Sequence, residues 1–535
     1  VPVRPFPEWL VCSKCHRLAP ISSGLFELKK DFIYPLKNRF VHINCNHSRK
    51  PPVALPVKFV LACEYGHLSD IPWNEFVHYG KNTCSTVNLR LFESGITGEV
   101  SDVVVKCDEC GTKKSIADAF AQPPLFPECP AYHPHLQDHD DNCKGREDQK
   151  RPRTLLIGAS NIWFPCLLSA ISLPSSKTKL EELIEKYWEN LSKIQNEEVL
   201  KGILEAGIFS EEFTSYDSKE IWQGIQKEKS KSQNPKEEEE EDLKLPEWNI
   251  FSDNNEYDGK DFKKGIPNPS VHPKIQDYFE KIVLMERLRE VQTLIGFTRL
   301  SSPFEFGEID PKLGQRLAPL SKKKLNWLPA SEIRGEGIFI QLKESFLQVW
   351  LKKKEVQERE EQLFQSHVKY RTRLHFQNPQ DGFPGMRYIL LHTLSHVLMR
   401  QFALECGYSA ASIRERIYSN EPNKTSNGQA MAGILLYTAT PDSEGTLGGL
   451  VQLGEKDTFF NHLLQALERI HYCSSDPLCA ENAFSSDSYS IRGSACHSCL
   501  YMPETSCEKG NKYLDRAVLV ETLDQASSKL AVFQF

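Results

Sequence analysis

Apolar positions along this chain fall into helical stripes separated by short continuous runs. Leu180, Leu183, Ile184, Tyr187, Leu191 and Ile194 share one helical face. Pro273 opens a second stripe, Ile275, Phe279, Ile282, Met285 and Leu288, which predicts an amphipathic helix. Further helices are expected from Glu344 to His367, dense in charge, from Met386 to Glu405, and through Phe459, Leu463, Leu467 and Ile470. Ser412 and Glu415 have capping-box spacing and predict the start of one more. Strands are expected at Gly296–Leu300, Gly335–Ile340 and Ala432–Tyr437, with a strand or buried connector around Ser160–Pro174. Gly445, Gly448 and Gly449 mark a tight turn before the Phe459 helix.

The runs divide the chain. Residues 1–150 hold few long apolar stretches and many cysteines; 151–226 read as mostly helical. Residues 227–265 are rich in lysine, glutamate and asparagine and read as a charged flexible linker or insertion. Residues 266–385 form a mixed middle domain, and 386–535 a carboxy-terminal domain. The fold class expected is α+β, multidomain, with several structural zinc knuckles. Its 535 residues are ample for several cores, and 40% hydrophobic with 26% charged residues is an ordinary globular balance. No apolar run reaches the roughly 18 residues that span a bilayer, and the first residues lack a signal-peptide core. A cytoplasmic protein with no membrane attachment is expected. The net charge of −7 rules out a polycation, so any nucleic-acid contact needs a local basic surface.

The sixteen cysteines bunch at Cys12–Cys166 and Cys473–Cys507, with Cys406 alone between. In a large chain with no secretion signal, such bunching favours metal over disulfide. Cys12-Ser-Lys-Cys15 is a knuckle whose two thiolates can grip one zinc ion, with Cys45 and either His47 or Cys63 to complete the shell. Cys63, His67, His78 and Cys84 make a second mixed set. Cys107-Asp-Glu-Cys110, with Gly111 allowing a positive-φ turn, would close with Cys129 and Cys143. In the tail, Cys496-His-Ser-Cys499 would draw on Cys507 and on Cys479 or Cys473. Three to four zinc ions per chain follow, as closed structural sites in place of core.

His392 and His396 share a helix face, but Thr393 stands where a metalloprotease has its glutamate. The pair reads as packed and hydrogen-bonded. No Walker A loop, HExxH or nucleophile elbow occurs, so no enzyme is expected. Lys322, Lys323 and Lys324 before Trp327, and Lys369, Arg371 and Arg373 around Tyr370, combine charge with aromatic rings as single-stranded nucleic-acid sites do.

Leu391–His396, Gly407-Tyr408, Glu415–Tyr418, Leu436-Tyr437, Ala495–Leu500, Cys507–Asn511 and Leu514–Arg516 resemble the MrfA-type zinc-binding domain found with superfamily 2 helicases. Gly66-His67, Pro72-Trp73, Ser160-Asn161, Gly296–Arg299, Trp327–Ala330 and Gly335–Gly337 resemble the DrmB family of the DISARM anti-phage system. Together they cover nearly the whole chain outside residues 175–270. The resemblance implies a subunit without its own motor, paired with a DrmA-type helicase-like ATPase and engaging DNA, single-stranded or with single-stranded ends. It carries over Cys479, Cys496, Cys499 and Cys507 as tail zinc ligands together with the knuckle cysteines at the front; Cys473 is the extra thiol. Two other functions compete: a zinc hydrolase or nuclease built on His392 and His396, and a zinc-based protein adaptor that never touches DNA.

Overall fold

The computed structural model describes residues 4–80, 83–84, 88–93, 99–121, 126, 128–143, 151–174, 179–205, 213, 216–233, 243–265, 271–302, 316–323, 325–373, 376, 378–421, 429–438, 449–481, 491–523 and 527–534. The chain divides into two compact units, one of residues 1–168 with 292–331, the other of 169–291 with 332–535.

The first unit is built from short strands. Eight form one antiparallel sheet in the order Lys113–Ser115, Val103–Cys107, Leu89–Glu93, Arg17–Pro20, Trp9–Cys12, Val53–Pro56, Arg39–His42, Phe26–Lys29. A three-stranded sheet pairs Arg153–Leu156, Phe59–Ala62 and Leu68–Asp70. Leu61, Trp73, Phe76 and Val105 belong to its largest apolar core. Two smaller clusters contain cysteines among their buried residues: Cys12, Cys15 and Cys45 with Leu10 and Phe26, and Cys63, Cys129 and Cys143 with Tyr65. Apolar burial in these two clusters is thin, which is where cross-linking by metal contributes most.

The second unit surrounds the helix Gly385–Cys406. Nearly every residue from Gly385 to Phe402 is buried, so this helix is covered on all sides rather than on one stripe, and it carries polar side chains such as His392, Ser395 and His396 into the interior. It ends at Gly407, whose φ of +67° suits the left-handed closing position. Beside it lie the helix Lys456–Ile470 and the strands Ile413–Tyr418 and Gly433–Thr438 of a seven-stranded sheet. In that sheet Gly433 has no side chain for a structural reason: a Cβ there would come within 2.7 Å of the Trp248 ring. Leu180–Ile194 is helical as expected, but broken into the short helices Lys179–Lys186 and Trp188–Leu191, which share a core with Ile221 and Ile225 of the helix Ser218–Gln233.

Three expectations need correction. The stripe from Ile275 to Leu288 is not a helix: Phe279–Thr298 is one long strand. Its Phe279 and Ile282 enter the core around Gly385–Cys406, whereas Val283, Met285 and Leu288 enter a second core with Trp248 and Phe339. Burial on both faces, plus a register shift opposite Lys263 and Lys264, erases the period-two signature. Residues 243–265 are not a solvated linker, because Lys244–Ser252 is a helix with Glu247, Trp248 and Phe251 buried, and Phe262 packs beside it. The acidic run 237–242 and the Gly445–Gly448 turn lie outside the described residues. Finally, Ser412 and Glu415 cap no helix. Ile413–Tyr418 is a strand, and the cap is Ser409, which accepts a hydrogen bond from the Ala411 amide at a single 3₁₀ turn.

Candidate metal centres

Cys12 ends its strand, and Cys15 follows across a tight turn in which the Lys14 amide donates to the Cys12 sulfur at 3.5 Å. Cys45 lies 4.0 Å from Cys12, sulfur to sulfur, and His42 Nδ1 lies 3.3 Å from Cys15. The four donor atoms all fall within 4.8 Å of one another. His47 is exposed and takes no part. Strand Arg39–His42 turns the His42 ring inward, and the spacing His42-Ile-Asn-Cys45 repeats the knuckle spacing with a histidine first. That spacing is the sequence signal for this set.

The next eight residues group differently from their order in the chain. Cys63 and His67 meet Cys129 and Cys143; His78 and Cys84 meet Cys107 and Cys110. One set is thus nested inside the other. In the outer set Cys63 and Cys143 are 3.6 Å apart, and the amides of Tyr65 and Ala131 donate to Cys63 and Cys129. His67 holds Asp140 through Nε2 at 2.8 Å, leaving Nδ1 buried with no hydrogen-bond partner on the side of the thiols. In the inner set His78 Nδ1 is 2.7 Å from the Asn74 carbonyl and its Nε2 is 3.5 Å from Cys110. Thr112, through its hydroxyl and amide, holds the Cys110 thiol down at about 6. Gly111 has the positive φ, +73°, expected after this knuckle. His133 is buried against Asp140 and His139 is exposed.

In the tail, Cys473, Cys479, Cys496 and Cys499 converge. Sulfur separations are 3.4 Å for Cys473–Cys496, 3.8 Å for Cys479–Cys499 and 3.7 Å for Cys496–Cys499. Cys473, not Cys507, is therefore the fourth member. Cys507 is buried elsewhere, beside His392, His396 and Glu415.

These separations decide the chemistry. A disulfide needs sulfurs about 2.05 Å apart, and all the cysteines are free. Four thiolates around a zinc ion with bonds of about 2.3 Å stand roughly 3.8 Å apart. Crowding also raises the cost of ionisation. Neighbouring thiols together with burial push Cys63 far up, Cys84 is pushed to about 11, and burial pushes Cys15 to about 11. Such sets ionise together only around a cation, and imidazole with thiolate is a donor set suited to zinc.

The basic residues are scattered. Lys322 and Lys323 are exposed, with Lys322 3.3 Å from Asp138, and Lys324 lies outside the described residues. Lys369 and Arg373 are exposed on the helix Lys354–Arg373, and the Arg371 guanidinium stacks 3.9 Å over the Phe376 ring. Near them a cavity of about 210 Å³ is lined by Tyr370, Arg492, His497, Tyr501 and Lys512 among others. No helix among the described residues is long and apolar enough to cross a membrane.

Residues 1–164 match a family model described as a domain of unknown function (DUF8724), and residues 394–500 match the MrfA Zn-binding domain. Over 546 residues the chain is 33% identical to the DISARM protein DrmB of Bacillus paralicheniformis, an alignment covering 99% of this chain and 90% of that protein.

Proposed function

The chain belongs to the DrmB family of DISARM proteins, and from that membership we propose that it is a non-catalytic, zinc-bearing subunit of an anti-phage defence complex in the cytoplasm. It pairs with a helicase-like ATPase of the DrmA type and helps that motor hold DNA, single-stranded or with single-stranded ends. Zinc, when bound by the four Cys/His sets, supplies cross-links for turns that bury little apolar surface. The chain's own residues then provide rigid platforms for macromolecular contact.

One observation favours nucleic acid over protein as a ligand. The cavity lined by Tyr370, Tyr501 and His497 also carries Arg492 and Lys512, and the exposed Lys369 and Arg373 stand on the helix that contributes Tyr370. Flat rings to stack bases beside cations for phosphates are what single-stranded nucleic acid needs. A hydrolase built on His392 and His396 is disfavoured, since both rings and the facing Glu415 carboxylate have no exposed side-chain surface for substrate or water to reach.

The test is binding of a labelled single strand, by the chain alone and with its ATPase, at several salt concentrations. Affinity should fall as salt rises. The double charge reversal Arg492→Glu and Lys512→Glu should weaken binding and flatten the salt slope by roughly one for each phosphate no longer neutralised. No binding in either setting would leave the protein-adaptor reading in place.

A further inference from the structure

We propose that His392, His396, Glu415 and Cys507 bind a further zinc ion, as a closed structural centre within the second unit. The span matched by the MrfA Zn-binding domain contains the four tail cysteines but neither His392 nor Cys507.

Three separate segments bring the donors together. His392 and His396 lie one turn apart on the buried helix Gly385–Cys406, Glu415 on the adjoining strand Ile413–Tyr418, and Cys507 just after the turn Glu504–Ser506. His392 Nε2 is 3.1 Å from the Cys507 sulfur and 3.1 Å from Glu415 Oε1, and His396 Nε2 is 3.6 Å from the same oxygen. All four donor atoms lie within 4.8 Å of one another, and all four residues are buried. Zinc bonds of about 2.0–2.3 Å to nitrogen, oxygen and sulfur place neighbouring ligands roughly 3.3–3.8 Å apart in a tetrahedron. The spacing fits without rearrangement of the backbone.

The outer contacts strengthen the case. His392 Nδ1 faces the Tyr513 carbonyl at 3.3 Å, and His396 Nδ1 faces the Leu500 carbonyl at 2.9 Å. A neutral imidazole carries one ring proton, and these carbonyls call for it at Nδ1 in both rings. Both Nε2 lone pairs then point inward, toward a carboxylate and a sulfur. Two imidazole lone pairs, a carboxylate oxygen and a sulfur face one point with only the single Cys507 thiol proton to share among them, an arrangement that a cation resolves. His396 Nε2 is indeed buried without any hydrogen-bond partner. Meanwhile the backs of the other donors are satisfied. Ser395 Oγ donates to Glu415 Oε2, the Glu508 amide to Glu415 Oε1 at 3.1 Å, and the Asn511 amide to the Cys507 sulfur at 3.2 Å. Ring nitrogens held by carbonyls and a carboxylate held by a hydroxyl are the usual supports of metal ligands.

One thiolate, two imidazoles and one carboxylate suit zinc, and four protein ligands with no exposed approach leave no open position for catalysis. The ion would tie the tail to the central helix and to the sheet at one point. This also explains why Cys507 stays apart from the four tail cysteines.

The deciding measurement is anomalous diffraction from crystals of the full chain as purified, with data above and below the zinc absorption edge. A peak among these four residues, besides those at the cysteine sets, is expected. Peaks at the cysteine sets with none here would overturn the site, as would a peak with the iron edge in place of zinc. In solution, His396→Gln and Cys507→Ser should each remove one zinc equivalent per chain. A variant with unchanged circular dichroism and undiminished zinc content would likewise count against it.

Discussion

Arg516 holds both carboxylate oxygens of Asp476 through Nη2, at 2.5 and 2.6 Å. The guanidinium is fully buried, and its Nη1 donates at 2.8 Å to the carbonyls of Ile470 and His471, where the helix Lys456–Ile470 ends. Asp476 in turn accepts from the Cys473 amide at 2.7 Å, so one arginine links a helix end to the tail cysteine set. Removing it strands a buried carboxylate beside thiolates. Arg516→Met should cost about 3–5 kcal/mol of stability and speed zinc release from the tail, read as a lower melting temperature and faster metal transfer to a chromogenic chelator. A lysine restores charge but not the fork and should rescue only in part.

The nested grouping of the amino-terminal donors makes a sharp prediction. His78→Ala should expose Cys84, Cys107 and Cys110 to alkylation while Cys63, Cys129 and Cys143 stay protected. His67→Ala should do the reverse. Mass spectrometry of trypsin peptides after a short iodoacetamide pulse reads both. Labelling of Cys63 together with Cys84 in the His78 variant, with Cys107 and Cys110 still protected, would restore the sequential grouping and refute the nested one.

How far these sites were readable from sequence depends on distance along the chain. The knuckle turns at Cys12–Cys15, Cys107–Cys110 and Cys496–Cys499 are local, and spacing alone locates them. Which donors complete each set is decided by strand pairing: His42 and Cys45 approach Cys12 because Arg39–His42 and Trp9–Cys12 both pair with Val53–Pro56. Nothing local to Cys507 says that it will meet His392 rather than Cys479. The same holds for fold. The helices around Leu391 and Leu463 follow their apolar pattern, but the long strand through Met285 is covered on two faces by different cores and mimics helical spacing. Glu415 mimics a cap because its spacing from Ser412 is right, while its partners lie on another element.

Glu247 shows what a charged composition can conceal. Inside a stretch of lysine and glutamate, this carboxylate is buried, accepting from Arg416 Nη2 at 2.9 Å, the Tyr418 hydroxyl at 2.7 Å and the Ile171 amide at 3.0 Å. It thereby joins the helix Lys244–Ser252 to strands from distant parts of the unit. Glu247→Ala would leave the Arg416 cation buried and unpaired, and should destabilise by about 3–5 kcal/mol. Glu247→Gln, keeping shape but not charge, should fall between. Urea unfolding of the three proteins checks the order; equal midpoints would show the segment to be dispensable.

The final expectation concerns acid. His367 has no exposed surface; its Nδ1 is 2.7 Å from the Tyr513 hydroxyl and its Nε2 is 2.9 Å from the Asp381 carbonyl. A neutral ring satisfies both, accepting from the hydroxyl and donating to the carbonyl. Burial pushes the group down to about 4, whereas in the unfolded chain it titrates near the ordinary value of about 6.5. A proton is therefore taken up on unfolding between those two values. Stability from this ring is complete above about pH 6.5 and is lost as pH falls toward 4, by at most roughly 1.4 kcal/mol per pH unit. His367→Phe forfeits the two hydrogen bonds at every pH but has no proton to bind. Melting temperatures from pH 7.5 to 5 should hence fall more steeply for the native chain than for the variant, and the gap between them should narrow in acid. Protonation of zinc ligands lowers both curves alike, so the difference isolates His367; parallel curves would mean that the buried ring titrates normally.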